Sequence, residues 1–365
     1  MNQPTVKIEN NQGYRKQWMI GLIVFLLAVV AGLFWAKWHP YFYKAFSAAA
    51  NHSIGSSVIT GDSESAPPPS WSAAWDYSLG YFKSIWEAFV VGIVLASFVQ
   101  VLIPRDWIKR TLGKTSYGST MLAGITALPG MMCTCCSAPL VVGLRRQQTS
   151  VSAAVAFWFG NTALNPAVLI FMFFVLGWKF TLLRMAFGLI LVFGLSYLVG
   201  KLVRNEEDAR RVLKQTEAMS NGRNFNEDPK QGLFVRWLKS LGTMSLTIIP
   251  AYIISVFVLG AFRAWLFPAL GGTMLGNSVL AVLLLALAGT LFVIPTAGEI
   301  PIAQTFMKFG LGSGPAAALI ITLPVISLPS ALMVRRAFSW RTLGLLGIGV
   351  AVLGFFAGLI GMVWI

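Results

Sequence analysis

The sequence predicts an all-α integral membrane protein built as an inverted repeat of broken and re-entrant helices. Three features lead there: an apolar composition, a run of segments of bilayer length, and Pro/Gly breaks that recur in order in two halves. Of the 365 residues, 56% are hydrophobic and only 11% charged, with a mean hydropathy of +0.71. A water-soluble globular domain does not reach those values. The formal net charge of +15 does not indicate nucleic acid, because the Lys and Arg residues sit mainly in short connectors between apolar runs, as in membrane proteins that retain basic loops on the cytoplasmic side.

The first apolar run, Trp18 to Ala36, follows Tyr14-Arg15-Lys16. It has about the ~20 residues needed to cross a bilayer and exceeds the core of most signal peptides, so it is expected to be a retained anchor. Residues 37–80 are rich in Ser and Ala, contain Pro67-Pro68-Pro69 and carry Asp62, Glu64 and Asp76 beside Lys37, His39 and Lys44. This stretch reads as an external loop, which makes 1–81 an anchor-plus-loop unit.

Further apolar segments follow at about 82–103, 119–144, 150–177, 180–202, 242–263, 278–308, 312–334 and 342–365. A linker of alternating charge, 203–239, separates a first transmembrane repeat, 82–202, from a second, 240–365. The halves share an order of features. Cys136-Ser137-Ala138-Pro139 precedes Pro166 by 27 residues and Gly298-Glu299-Ile300-Pro301 precedes Pro329 by 28, counted from the prolines. Each half then reaches a Trp followed by a base, Trp178-Lys179 and Trp340-Arg341. Phe82-Lys83-Ser84-Ile85 also resembles Leu238-Lys239-Ser240-Leu241, and Thr111-Leu112-Gly113 resembles Ala269-Leu270-Gly271.

Basic clusters decide the topology. If 119–144 and 278–308 both crossed fully, Arg145-Arg146 and the linker would fall outside. If each enters and leaves on one face, then Arg105, Lys109, Arg110, Arg145, Arg146, the linker, Arg335, Arg336 and Arg341 all fall inside, with the N-terminus. The expectation is therefore about seven full spans plus two re-entrant hairpins, the alternative being nine spans. Irregular backbone at membrane depth is tolerated where it lines a cavity.

The first hairpin concentrates soft ligands at a break: Leu128-Pro129-Gly130-Met131-Met132-Cys133-Thr134-Cys135-Cys136-Ser137-Ala138-Pro139. All three cysteines lie here, so no disulfide framework is available. Thiolates favour soft metals and metalloids; Cys133 and Cys136 share a face if the stretch is helical, and Cys135 turns in if it unwinds. A closed zinc site is not expected, since the only histidines, His39 and His52, lie far away in the loop. The bland alternative is that these cysteines are small apolar residues packed in a membrane segment.

In the second hairpin, Pro295-Thr296-Ala297-Gly298-Glu299-Ile300-Pro301 carries the one carboxylate deep in an apolar segment of that half. Such a group is costly unless paired, hydrated or protonated. Glu299 is read as the group that takes up and releases a proton or receives a cation, against a purely structural hydrogen-bonding role. Glu87, beside Trp86, reads as interfacial. The break Gly160-Asn161-Thr162-Ala163-Leu164-Asn165-Pro166 places two amides in one helix; Asn161 and Asn165, with Ser137 and Thr296, are candidate substrate contacts. Each also has a structural alternative, the satisfaction of backbone groups freed by proline. There is no P-loop, dinucleotide fingerprint or Ser/His/Asp set, so neither an enzyme nor a cofactor is expected.

The stretch 133–139, the 160–166 break and Pro295 to Pro301 together resemble the bacterial predicted-permease family that includes the ArsP-type organoarsenical efflux permeases, over roughly residues 80–365. The resemblance implies a multi-pass inner-membrane efflux protein in which an adjacent pair, here Cys135 and Cys136, binds a trivalent organoarsenical. Two thiols fill the two exchangeable positions of a monomethyl trivalent arsenic, and inorganic arsenite would add Cys133. The metalloid is then substrate, not a resident metal. The expected function is secondary export of a thiol-binding small molecule or metalloid, with Glu299 coupling it to protons. Two alternatives stay open: uptake of a sulfur anion such as thiosulfate, and a membrane thiol oxidoreductase using the Cys133/Cys136 pair. The expected partners are the cargo and the lipid bilayer, with self-association left open.

Overall fold

The computed structural model describes residues 23–60, 68, 70–103, 105–203, 233–266 and 276–365. Most of the 203–239 linker, the basic N-terminal residues and the 269–271 repeat match lie outside the described residues. The rest is helical, with no strand among the described residues. The elements are α1 (Ile23–Asn51), α2 (Trp71–Leu102), α3 (Arg105–Leu112), α4 (Tyr117–Ala127), α5 (Thr134–Arg146), α6 (Val151–Ala163) and α7 (Pro166–Leu176). Then come α8 (Trp178–Leu202), α9 (Leu233–Leu266), α10 (Val279–Leu291), α11 (Glu299–Lys308), α12 (Ser313–Thr322), α13 (Leu328–Val334) and α14 (Trp340–Trp364).

Among the described residues, six stretches are long and apolar enough to span a bilayer: α1, α2, α6–α7, α8, Phe234–Phe262 of α9, and α14. The seventh expected span, 312–334, is divided into α12 and α13, and α12 is a shorter apolar helix. The arms of the two hairpins are too short for a full span. The 11 residues of α4 and 13 of α5 reach only about 16 and 20 Å at 1.5 Å per residue, against a hydrocarbon core of about 30 Å.

Three hydrogen bonds close the hairpins at their mouths. Ser150 N–H donates to the Leu112 carbonyl at 2.8 Å, so the chain enters α4 and leaves α5 on one face. Gly312 N–H donates to the Gly276 carbonyl at 3.0 Å, and Gly314 N–H to Asn277 Oδ1 at 3.2 Å, closing α10–α11 the same way. The mouths lie on opposite faces. Arg145 Nε donates to the Ala337 carbonyl at 3.1 Å, tying the first mouth to the start of α14. Ser313 Oγ donates to the Gly361 carbonyl at 2.9 Å, tying the second to its end. The α5 end of the first mouth carries Arg145-Arg146, whereas Lys179 meets the Trp364 carbonyl near the second.

The loop expected at 37–80 is shorter than the sequence suggests. The first helix continues through a π-helical turn at Phe34–Trp38 to Asn51, and α2 begins at Trp71 behind an N-cap in which Ser70 Oγ accepts from Ala73 N–H. Residues 39–51 are aromatic and alanine-rich with no internal Gly, so they continue a helix once Lys37 finds a partner.

Lipid-facing stripes are apolar. Ile348, Val352, Phe356 and Ile360 recur every four residues on α14, all exposed, while Gly354, Gly358 and Gly361 on its other side meet Thr322, Val282 and Ala317. Small residues let helices approach closely where lipid removes the hydrophobic drive. The tightest approach at the site is on α2: a Cβ at Gly92 would lie 2.3 Å from the Cys136 carbonyl oxygen. Because that atom is backbone, Gly92→Ala is expected to displace α5 and cost about 1–3 kcal/mol, read as a lower melting temperature of the purified protein. An unchanged melt would show that α5 is not held against α2.

Candidate functional site at the meeting of four chain breaks

Both hairpin tips leave helical geometry at a non-glycine residue in the left-handed region, Met131 at φ 48° and Ala297 at φ 68°. Such conformations persist where surrounding structure over-determines them, often at functional sites. After each turn a short helix starts with its N-terminus inside the protein: α5 after its N-cap Cys133, and α11 at Glu299. Opposite them, the broken helices pause. Asn165 Oδ1 accepts from the N–H groups of Ala167 and Val168 at 3.1 and 3.3 Å and restarts the chain as α7. Ser327 and Ser330 form a capping box that restarts it as α13.

The four breaks line one small cavity, with room for about one water molecule. Met132 and Cys133 come from the first tip, Thr162 and Asn165 from the first break, Pro295 to Ala297 and Glu299 from the second tip, and Pro324 from the second break. Of the sequence candidates, Cys133, Asn165, Thr296 and Glu299 therefore meet at one place. Cys136 lies just behind Cys133, with their sulfurs 3.0 Å apart. Cys135 turns toward the hydroxyls of Tyr81 and Tyr252, which are themselves hydrogen-bonded at 2.8 Å. The close thiol pair is thus Cys133 with Cys136, at helical spacing, and not the adjacent Cys135 with Cys136. Ser137 Oγ donates back to the Cys133 carbonyl at 2.9 Å, and Asn161 Nδ2 to the Phe157 carbonyl at 2.9 Å. Both serve their own helices and do not line the cavity.

Two charged residues absent from the sequence candidates complete the junction. Arg184 of α8 is 1% exposed. Its Nε and Nη2 donate to the Ala163 and Thr162 carbonyls at 3.2 and 2.9 Å, and Nη1 to the Ile320 carbonyl at 3.2 Å. These carbonyls lie at the C-terminal ends of α6 and α12, where backbone acceptors are left over and a cation is favoured. Arg184 Nη1 also lies 2.6 Å from Glu299 Oε1. The pair is close but not aligned as a hydrogen bond, and both Glu299 oxygens lack an aligned donor. The second charge is Lys37 of α1, 4% exposed, whose Nζ donates to Thr296 Oγ1 at 3.0 Å and Tyr41 Oη at 2.9 Å. The usable signal for Arg184 is a base inside the apolar segment 180–202, where ionisable residues are rare; Lys37 gives none, because it falls in the stretch read as a loop.

Comparison with known proteins bears on what this arrangement belongs to. A family model described as predicted permease matches residues 70–363. The chain is 48% identical over 335 residues to the UPF0718 protein YraQ of Escherichia coli strain K12, covering 92% of this chain and 93% of that one. It is 22% identical over 340 residues to the UPF0718 protein MJ0584 of Methanocaldococcus jannaschii, covering 75% and 91%. No solved structure matches significantly. With its helical membrane architecture and a match over four-fifths of its length, the chain belongs to the predicted-permease family.

Proposed function

We propose that this permease is a secondary exporter of the bacterial inner membrane. It carries a thiol-seeking cargo, a trivalent organoarsenical or related metalloid, from the cytoplasm outward, with Glu299 coupling the movement to protons. The observation that carries this reading is the Cys133/Cys136 sulfur pair, 3.0 Å apart, at the N-terminus of a re-entrant helix whose first thiol opens on the junction cavity. Two soft donors that close together bind one soft atom jointly. With a methylarsonous cargo, CH3As(OH)2, each thiol displaces one hydroxyl. Two As–S bonds replace two As–O bonds, each thiol proton leaves with a hydroxyl as water, and no electrons change hands. Hydrolysis reverses the step on release.

The basic face that carries Arg145 and Arg146 is assigned to the cytoplasm, and the N-terminus with it. Opposite orientation of two halves around a mid-membrane site suits alternating access by rocking of one half against the other. The close but unaligned pairing of Glu299 with Arg184 supports this reading, in which Glu299 exchanges that partner for a proton as the halves move. In everted vesicles, Glu299→Gln is expected to bind methylarsonous acid like the native chain but to lose most of its acceleration by an imposed proton gradient. An undiminished gradient response would remove Glu299 from the coupling.

One observation favours a second reading, uptake of a sulfur anion: the buried ammonium of Lys37 bonded to Thr296 at the cavity wall. Thiosulfate entering right-side-out vesicles, with no arsenical accumulating in everted ones, would establish it in place of export.

A further inference from the structure

Lys37 has a charge that nothing else in the junction answers. Among the described residues no carboxylate lies within ion-pair distance of it, and the one carboxylate at the site, Glu299, is engaged with Arg184. Its acceptors are two neutral hydroxyls, Thr296 and Tyr41. An uncompensated cation at membrane depth is expensive. Through its bond to Thr296, Lys37 meets the wall of the cavity onto which Cys133 opens. A second, independent feature points to an acceptor ligand. Asn165 is fully buried and lines the cavity; its Oδ1 is used in capping α7, but its Nδ2 has no hydrogen-bond partner. Thr296, which accepts from Lys37, keeps a hydroxyl proton to donate and lines the same cavity. The N-terminus of α5 adds partial positive charge beside them.

We propose that Lys37, Thr296 and Asn165 form an anion-recognising arm of the site, so that the cargo joins a thiol-seeking centre, held by Cys133 and Cys136, to a negatively charged oxygen. This rests on the thiol reading above and narrows its substrate class. It also makes α1 part of the transport site, although the region matched by the family model begins only at residue 70.

A matched pair of probes tests it: methylarsonous acid, which is neutral, and carboxymethylarsonous acid, which adds a carboxylate to the same arsenic centre. Binding is read from tryptophan fluorescence of the full chain in nanodiscs. The native protein is expected to prefer the carboxylate about tenfold or more, Lys37→Arg to keep the preference and Lys37→Met to lose it. Asn165→Asp keeps the helix cap but replaces the free donor with an acceptor, and is expected to lose the preference too. Equal binding of both probes by the native chain, or a preference intact in Lys37→Met and Asn165→Asp, would overturn the proposal. If neither arsenical binds, thiosulfate decides. Lys37-dependent thiosulfate binding would uphold the anion arm and remove the metalloid reading; thiosulfate binding that ignores Lys37, or none, would overturn the anion arm as well.

Discussion

Replacing Arg184 with leucine is expected to destabilise the protein by about 3–5 kcal/mol, the scale for stripping one partner from a buried ion pair. The change removes the one cation within ion-pair distance of Glu299 among the described residues and frees the Thr162, Ala163 and Ile320 carbonyls that the guanidinium holds. Those carbonyls belong to helices of different halves, so the loss is also expected to loosen the halves against each other. Size-exclusion chromatography after graded heating in detergent would register it. The double variant Arg184→Leu/Glu299→Leu should recover much of the lost stability, because apolar replacement of a whole pair is often neutral, yet show no response to a proton gradient. Glu299→Gln should cost less than Arg184→Leu, since Arg184 keeps its three carbonyl acceptors. An Arg184→Leu protein as heat-resistant as the native chain would mean that the junction is not held by this side chain.

The second large effect is expected at the thiols. Cys133→Ser/Cys136→Ser removes both soft donors of the close pair and should weaken methylarsonous acid binding by more than the ~100-fold that changes around a metal's outer shell cost. Serine is nearly isosteric, and these positions are buried, so the fold should persist. Cys135→Ser should change binding only a few-fold, because Cys135 faces Tyr81 and Tyr252 instead of the pair. Titration of the three proteins by fluorescence separates the possibilities. A Cys135→Ser defect as large as that of the double variant would return the site to the adjacent pair, Cys135 with Cys136.

Much of the architecture is legible in the sequence because membrane proteins expose their constraints there. Apolar length gives the spans, the recurring breaks at Pro139 and Pro166, then Pro301 and Pro329, mark where helices are interrupted, and the basic residues at 145–146 and 335–336 carry the proposed cytoplasmic side. The hairpins follow from combining these, since only re-entry keeps the charges on one side. What stays hidden depends on contacts made across the chain. Lys37 reads as a loop residue because it opens the Ser- and Ala-rich stretch 37–80; its bond to Thr296, 259 positions away, is a contact the local sequence does not show. Arg184 follows Trp178-Lys179 and passes for an interfacial base, yet its partners come from α6, α11 and α12. The thiol pairing turns on local geometry. Helical spacing favours Cys133 with Cys136, whereas the family resemblance implies Cys135 and Cys136, which on a helix point in different directions. Asn161 and Asn165 share one break, but only Asn165 reaches the cavity.

The central claim is that cargo passes the junction of the four breaks bound to Cys133 and Cys136. Accumulation of methylarsonous acid in everted membrane vesicles, with and without an inward-acid proton gradient, tests it most directly. The account predicts gradient-stimulated accumulation by the native chain that disappears in Cys133→Ser/Cys136→Ser and survives in Cys135→Ser. Accumulation by the double variant at the native rate, or none by the native chain under any gradient, would contradict it.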